Sequence, residues 1–259
     1  RNAFKLKEIR SRIIYTLLML VVVRIGTQLP VPGVNGSYFS EWFSGNSGSA
    51  FGFFDAITGG SFEKMSVFAL NITPYITSSI IIQLLTIAIP KLEELQKDGE
   101  EGRKKMTAIT RYLTVALALM ESLAMAIGFG RSGLLIKFNA LNVITAVVTL
   151  TAGSTVIMWI GERITENGVG NGISIVLTIN IISRIPQDLT LLFEQFVKGK
   201  EIAFQVLNLA IIIAIIIIVT VLTVALQGAE RRIPVQYSRK VQGRKQVGGQ
   251  TSHIPLKVN

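Results

Sequence analysis

Few residues in this chain are of a kind that does chemistry, and those few are not spaced for it. There is no cysteine, which removes thiol nucleophiles, disulfides and thiolate metal sites together. The one histidine, His253, has no His or Cys companion with which to hold a metal. No Ser-His-Asp, paired-carboxylate or metal-ligand spacing is visible, so the expectation is no enzyme, no catalytic residue, no metal and no cofactor. The cluster Gly168-Val-Gly-Asn-Gly172 invites a phosphate-loop reading, because glycine-rich turns before helices bind anions. It lacks the lysine and the preceding strand of a P-loop, and the other reading is a tight turn that lets two helices meet closely. That leaves Glu121, a carboxylate in the middle of an apolar stretch, where it is costly unless paired, hydrated or protonated.

The elements that position these residues are membrane spans. The 259 residues are 49% hydrophobic and 16% charged, against about 25% charged in ordinary soluble domains. The apolar residues are clustered: positions 206 to 226 run 21 residues without a charge and include Ile215-Ile-Ile-Ile218. At about 1.5 Å per residue that run crosses a hydrocarbon core of about 30 Å. Six such runs are predicted, at roughly 13–29, 68–89, 107–127, 141–160, 172–185 and 204–226. The first follows Lys5, Lys7, Arg10 and Arg12, as a signal peptide would, but it is long and leads into Pro30-Val-Pro-Gly, which is no cleavage site. The fifth is short and opens in the glycine cluster.

Orientation follows from Lys and Arg. With a cytoplasmic N-terminus the inner segments 1–12, 90–111, 161–171 and 227–259 hold 19 basic residues and the outer ones 6, Arg184 counted among the latter, while Arg24 lies in the first span. The same bias accounts for the net charge of +10 without nucleic acid. One segment exceeds it: Arg231, Arg232, Arg239, Lys240, Arg244 and Lys245 fall within 15 residues, a density suited to ribosomal RNA, an acidic protein or lipid headgroups. The final Ser252-His-Ile-Pro-Leu-Lys-Val-Asn259 has no tail character, and a further element is expected to follow it.

Three stretches carry a family resemblance. Asn71-Ile-Thr-Pro-Tyr-Ile-Thr-Ser-Ser-Ile-Ile-Ile-Gln-Leu-Leu85 lies in the second span, Glu166-Asn-Gly-Val-Gly-Asn-Gly-Ile-Ser-Ile175 opens the fifth, and Glu230-Arg-Arg-Ile-Pro-Val-Gln-Tyr237 follows the sixth. In that order and at those places they resemble the SecY family of protein-conducting channels. The resemblance implies an all-α membrane bundle of six transmembrane helices with a re-entrant plug and a cytoplasmic N-terminus. It divides the chain into a five-helix half at 1–203, the sixth helix at 204–226 and a basic cytoplasmic loop at 227–259.

It also implies roles. Ile72, Ile76, Ile173 and Leu177 would form an apolar pore ring, each pair four apart and so on one helix face; plain helix packing is the other account of such residues. Pro74, Thr77 and Glu121 would belong to a lateral gate, with Pro74 bending its helix. The stretch 49–60 is too short and glycine-rich to span, yet Phe51, Phe53 and Phe54 call for burial of about 150 to 250 Å² each. With Asp55 and Ile57 it would be the plug; the other reading is an aromatic anchor at the outer interface. Implied partners are SecE- and SecG-type small subunits, the SecA motor, a translating ribosome, signal peptides and nascent chains, in the lipid of a bacterial plasma membrane. A secondary transporter for a small solute, also built on broken helices, is the alternative.

Overall fold

The structure is a computed structural model that describes residues 6–46, 50–199, 201–235, 240–242, 245–247 and 252–258. It divides into two compact units, Arg1–Pro186 and Gln187–Asn259. In the first unit α1 (Lys7–Gly26) is followed by two short helices, α2 (Gly36–Asn46) and α3 (Ala50–Thr58). Then come α4 (Thr73–Ala88), α5 (Pro90–Lys97), α6 (Gly99–Gly128), α7 (Ala140–Asn167) and the first part of α8 (Gly172–Phe196). The second unit holds the end of α8, α9 (Ile202–Gln227) and four strands, β1 (Glu230–Val235), β2 (Lys240–Gln242), β3 (Lys245–Val247) and β4 (Ser252–Lys257).

Four described helices, α6, α7, α8 and α9, are long and apolar enough to cross a membrane, and the bent pair α4 and α5 makes a fifth if counted as one span. The protein is a multi-pass α-helical membrane protein. α1 is long enough but carries Lys7, Arg10, Arg12 and Arg24. The fifth predicted span is not short: α8 runs 25 residues, with Pro186 inside it. The apolar run breaks at Arg184, Gln187 and Asp188, although the helix goes on through Leu189, Leu191, Leu192 and Phe193.

The second predicted span starts later than its apolar run. Residues 67 to 72 wind as successive turns, with Asn71 at φ +50°, and α4 opens only at Thr73. Pro74 therefore sits in the first helical turn, where its missing N–H has no partner to lose, and it does not bend a span. The bend falls instead at Ile89, whose extended backbone (φ −114°, ψ 109°) is what a following proline requires. There α4 and α5 diverge by 105°.

Packing in the first unit runs α1 on α7, α7 on α6 and α6 on α4. Two apolar cores result. One gathers Phe39, Phe43, Phe62, Met65, Leu70, Ala118 and Leu150, the other Leu20, Val23, Phe68, Ile72, Ile157, Ile160, Ile164 and Val176.

The segment after α9, expected as a loop, is built of strands. β1 pairs antiparallel with β4, placing Ile233 opposite Ile254, and β2 pairs with β3. The Ile233–Ile254 pair and the opposite charges of Glu230 and Lys257 are cross-strand pairs of the kind that stabilise a ribbon.

Candidate functional site

The four ring candidates come together. Ile72 is fully buried in the second core, and Ile76, Ile173 and Leu177 pack against it half-buried. Ile72 caps α4, Ile76 is one turn along, and Ile173 and Leu177 open α8, so separate elements feed one apolar cluster. α8 reaches this place because Gly172 lies against the carbonyl of Gly161 in α7, where no side chain fits. The Gly168 to Gly172 turn is further tied to α1 by Val169 N–H donating to Thr16 Oγ1 at 3.2 Å and Arg12 donating to the Gly168 carbonyl at 3.3 Å. The tight-turn reading of that cluster fits these contacts.

The aromatic stretch forms α3, but only part of it is covered. Phe54 stands edge-on to Phe62 at 4.9 Å between ring centroids. Phe53 is 73% exposed, contrary to the expected burial of all three phenylalanines, because a nine-residue helix has one inward face and Phe54, Asp55 and Thr58 occupy it. The side chain of Phe51 and residue 49 lie outside what the structure describes. Ile57 contributes its carbonyl, which accepts from Asn71 Nδ2 at 3.5 Å.

Asp55 is the most consequential member of α3. It is 0% exposed and forms an ion pair with Arg184 of α8, while its Oδ1 accepts the Glu63 N–H at 2.8 Å. Arg184 also stands 3.7 Å from Glu63 Oε2. One turn back along α8, Asn180 Nδ2 donates to Asn71 Oδ1 at 3.2 Å, and Ser154 of α7 donates to the Asn71 carbonyl at 3.0 Å. Gly59, at φ +69°, brings the turn after α3 so close to α8 that an added Cβ would lie 2.6 Å from the Asn180 carbonyl. The sequence reading missed Asn71, Asn180 and Arg184 as a set. The available signal was an Asn and an Arg four apart in an apolar helix, which are costly in a membrane and so have a purpose. Counting Arg184 among the outer charges, although it falls within the 172–185 span, hid it.

The gate candidates are not joined to one another by hydrogen bonds among the described residues. Thr77 donates to the Thr73 carbonyl of its own helix at 3.1 Å. Glu121 lines a cavity of about 360 Å³ with Phe54 of α3 and with Phe62, Leu70, Ala124, Met125 and Phe129. Of the basic residues after α9, Arg231 and Arg232 are exposed on β1, paired in register with Leu256 and Pro255. Arg239 and Arg244, and the side chains of Lys240 and Lys245, lie outside the described residues. Among the described residues no group of three or more His, Asp or Glu is gathered for a metal.

Comparison with known proteins adds the following. A family model described as SecY matches residues 66–259. The protein translocase subunit SecY of Pseudomonas aeruginosa is 41% identical over 254 residues, covering 98% of this chain and 57% of its own length. Its namesake in Streptomyces scabiei is 42% identical over 272 residues, covering 100% and 61%, and that of Escherichia coli K12 is 39% identical over 258. The chain thus spans about three fifths of the length of these curated relatives. Among solved structures, a protein conducting channel aligns with a TM-score of 0.60 at 19% identity, over 96% of this chain and 52% of that one. Sec61 from a canine ribosome-channel complex aligns at 0.57 and 19%, over 87% and 49%. At such identities the likeness speaks for the fold.

Proposed function

Because the chain belongs to the SecY family, we propose that it forms part of a passive protein-conducting channel, which passes secretory polypeptides across a bacterial plasma membrane and releases membrane segments sideways into lipid. The observation that carries this is the gathering of Ile72, Ile76, Ile173 and Leu177 in one apolar cluster fed by separate elements. A gasket of branched side chains deforms around a passing peptide and dewets when empty, so it tolerates many sequences while stopping ions. α3 is the plug: its end is hydrogen-bonded to Asn71, the residue before Ile72. Pro74, Thr77 and Glu121 belong to the side through which apolar segments leave. The small-solute transporter gains nothing from the relatives, which are named as translocase subunits.

The functional divisions are the five-helix half with its plug, 1–203, the sixth helix, 204–226, and the basic segment, 227–259. The reading needs no catalysis, so the driving force comes from partners, a SecA-type motor or a translating ribosome, with SecE- and SecG-type subunits at the periphery. Arg231, Arg232, Arg239, Lys240, Arg244 and Lys245 are the docking surface. A ribbon that projects past the headgroups outruns lipid attraction, which fades over about 8 Å at physiological salt, and is better used on a macromolecule.

The test is a photo-crosslinker at position 76 or 177 in the full-length channel holding a stalled nascent chain. Labelling of that chain at both positions, and not at position 216 of α9, is expected. Labelling of lipid alone from 76 and 177 would remove the pore assignment.

A further inference from the structure

The face of α8 that carries the ring residues carries the plug contacts too. Ile173, Leu177, Asn180 and Arg184 follow one another at spacings of four, three and four, which is one stripe of a helix. The first two enter the apolar cluster around Ile72, and the last two hold Asn71 and Asp55. α3 is a short element. It has nine residues, below the length of about 12 at which isolated helices become even marginal in water, so its position is set by what it docks against. Phe54 against Phe62 is apolar and non-directional. Among the described residues, the directional restraints from α8 and the start of α4 are on Asp55, fully buried, and on the Ile57 carbonyl.

We infer that Arg184 is the positioning residue that anchors the plug, and that its place on the ring-bearing stripe of α8 makes widening of the ring and release of the plug one event. The physical reason is the cost of separating the pair. A carboxylate with no exposed surface loses its partners at a high cost when Arg184 and the Glu63 N–H are drawn away from it. Glu63, on the turn after α3, presents a second carboxylate to the same guanidinium, so one side chain of α8 restrains both ends of that turn. A polypeptide that pushes Ile173 and Leu177 outward carries Asn180 and Arg184 with them, because all four ride on one rigid helix. Asn71 and Asp55 then lose their partners together, and Gly59 leaves the Asn180 carbonyl on which it is packed. The seal therefore has two states rather than a continuous range.

This rests on the reading of α3 as the plug, and the experiment separates the two. Resting ion conductance of the full-length channel with its partner subunits is recorded in planar bilayers for wild type, R184Q, D55N, the R184Q/D55N double variant and a deletion of 50–58. Translocation of a secretory precursor is read alongside as a control for assembly. Losing one partner of a buried pair shifts such an equilibrium by about a hundredfold or more, so R184Q and D55N are each expected to leak about tenfold or more above wild type while still translocating. The double variant is expected to leak no more than either single one, since both act on one contact and neither charge is then left buried without its partner. R184K, which keeps the charge without the planar fork, is expected between wild type and R184Q. It also serves as the reading should the neutral variants fail to assemble, a wild-type leak from it then counting against the anchor. If R184Q and D55N stay sealed while the deletion leaks, the plug reading stands and the anchor is overturned. If the deletion stays sealed, the plug reading itself falls.

Discussion

α6 and α9 are both apolar, membrane-length helices, and they spend that apolarity in opposite ways. Past Gly102 near its start, the positions of α6 that are buried by packing are Thr110, Thr114, Ala118, Ser122 and Ala126, a series at every fourth residue. Its large residues Leu119, Met120, Leu123 and Ile127 are exposed. α9 has no buried residue at all, and its isoleucines at 211, 213 and 215 to 218 are exposed. In water such a pattern would mark a misassembled helix. In lipid it is the natural one, because burying a leucine gains nothing when the solvent is hydrocarbon, and close approach between helices comes from small and hydroxylated side chains. Ser122 shows the gain: its hydroxyl meets that of Thr151 of α7 at 3.0 Å.

The sharpest way to break this comparison is to make the same substitution in both helices. Ala118→Leu forces three extra carbons into a position with no exposed surface and is expected to destabilise the protein by about 1 to 3 kcal/mol. Ala214→Leu, on an exposed position of α9, is expected within about 0.5 kcal/mol of wild type. Reversible unfolding in bicelles measures both. Equal effects would mean that the α6 stripe is not a packing seam.

A smaller effect tests the polar side of the seam. Asn180→Ala removes the donor to Asn71 Oδ1 and leaves that oxygen buried. Hydrogen bonds between membrane helices average about 0.6 kcal/mol, and the stranded acceptor raises the expected loss to about 1 kcal/mol. Amide exchange at 71 to 73 and in α3 should rise with it. A loss near zero would mean that the pair forms only because both residues are there, and not because it holds α3.

Sequence alone makes the bundle legible, since apolar runs the length of a bilayer admit few other structures. It also makes the ring candidates legible, though only through the family resemblance, as an isoleucine in a membrane helix carries no mark of its own. Three features were not legible for reasons that can be stated. The start of α4 depends on Asn71 taking a left-handed backbone, a choice that tertiary hydrogen bonds to Ile57, Ser154 and Asn180 make favourable. The Asp55 to Arg184 pair joins residues 129 positions apart, and charge counting treats every arginine near a span end as a topology signal. The strands after α9 look like a loop because each is short and at least half of its residues are polar.

The smallest expected effect comes from the pair most easily read in the sequence. Glu93 and Lys97 of α5 are spaced i, i+4 and join at 2.6 Å, with both side chains largely exposed. The Lys97 hydrogen bond, with the charge behind it, holds the Glu93 carboxyl below its ordinary value. A depressed carboxylate pKa means that its contribution to the helix is present above the unfolded value, about 4.3, and is lost as pH falls through the lower folded value. Unlike Asp55, Glu93 is surrounded by water, which solvates either partner once the other is removed, and salt screens the attraction. Amide protection across 91 to 97, relative to the intrinsic exchange rate at each pH, should therefore be unchanged from pH 8 to 5 and fall only slightly below about 4, with Glu93→Gln removing the acid-side change. Added salt should shrink the difference further, while leaving any effect of R184Q intact. A pH or salt response of α5 as large as the response of α3 to losing Arg184 would mean that burial does not separate the two pairs, and the contrast between the packed seam and the solvated surface would fail at the charges where it ought to be greatest.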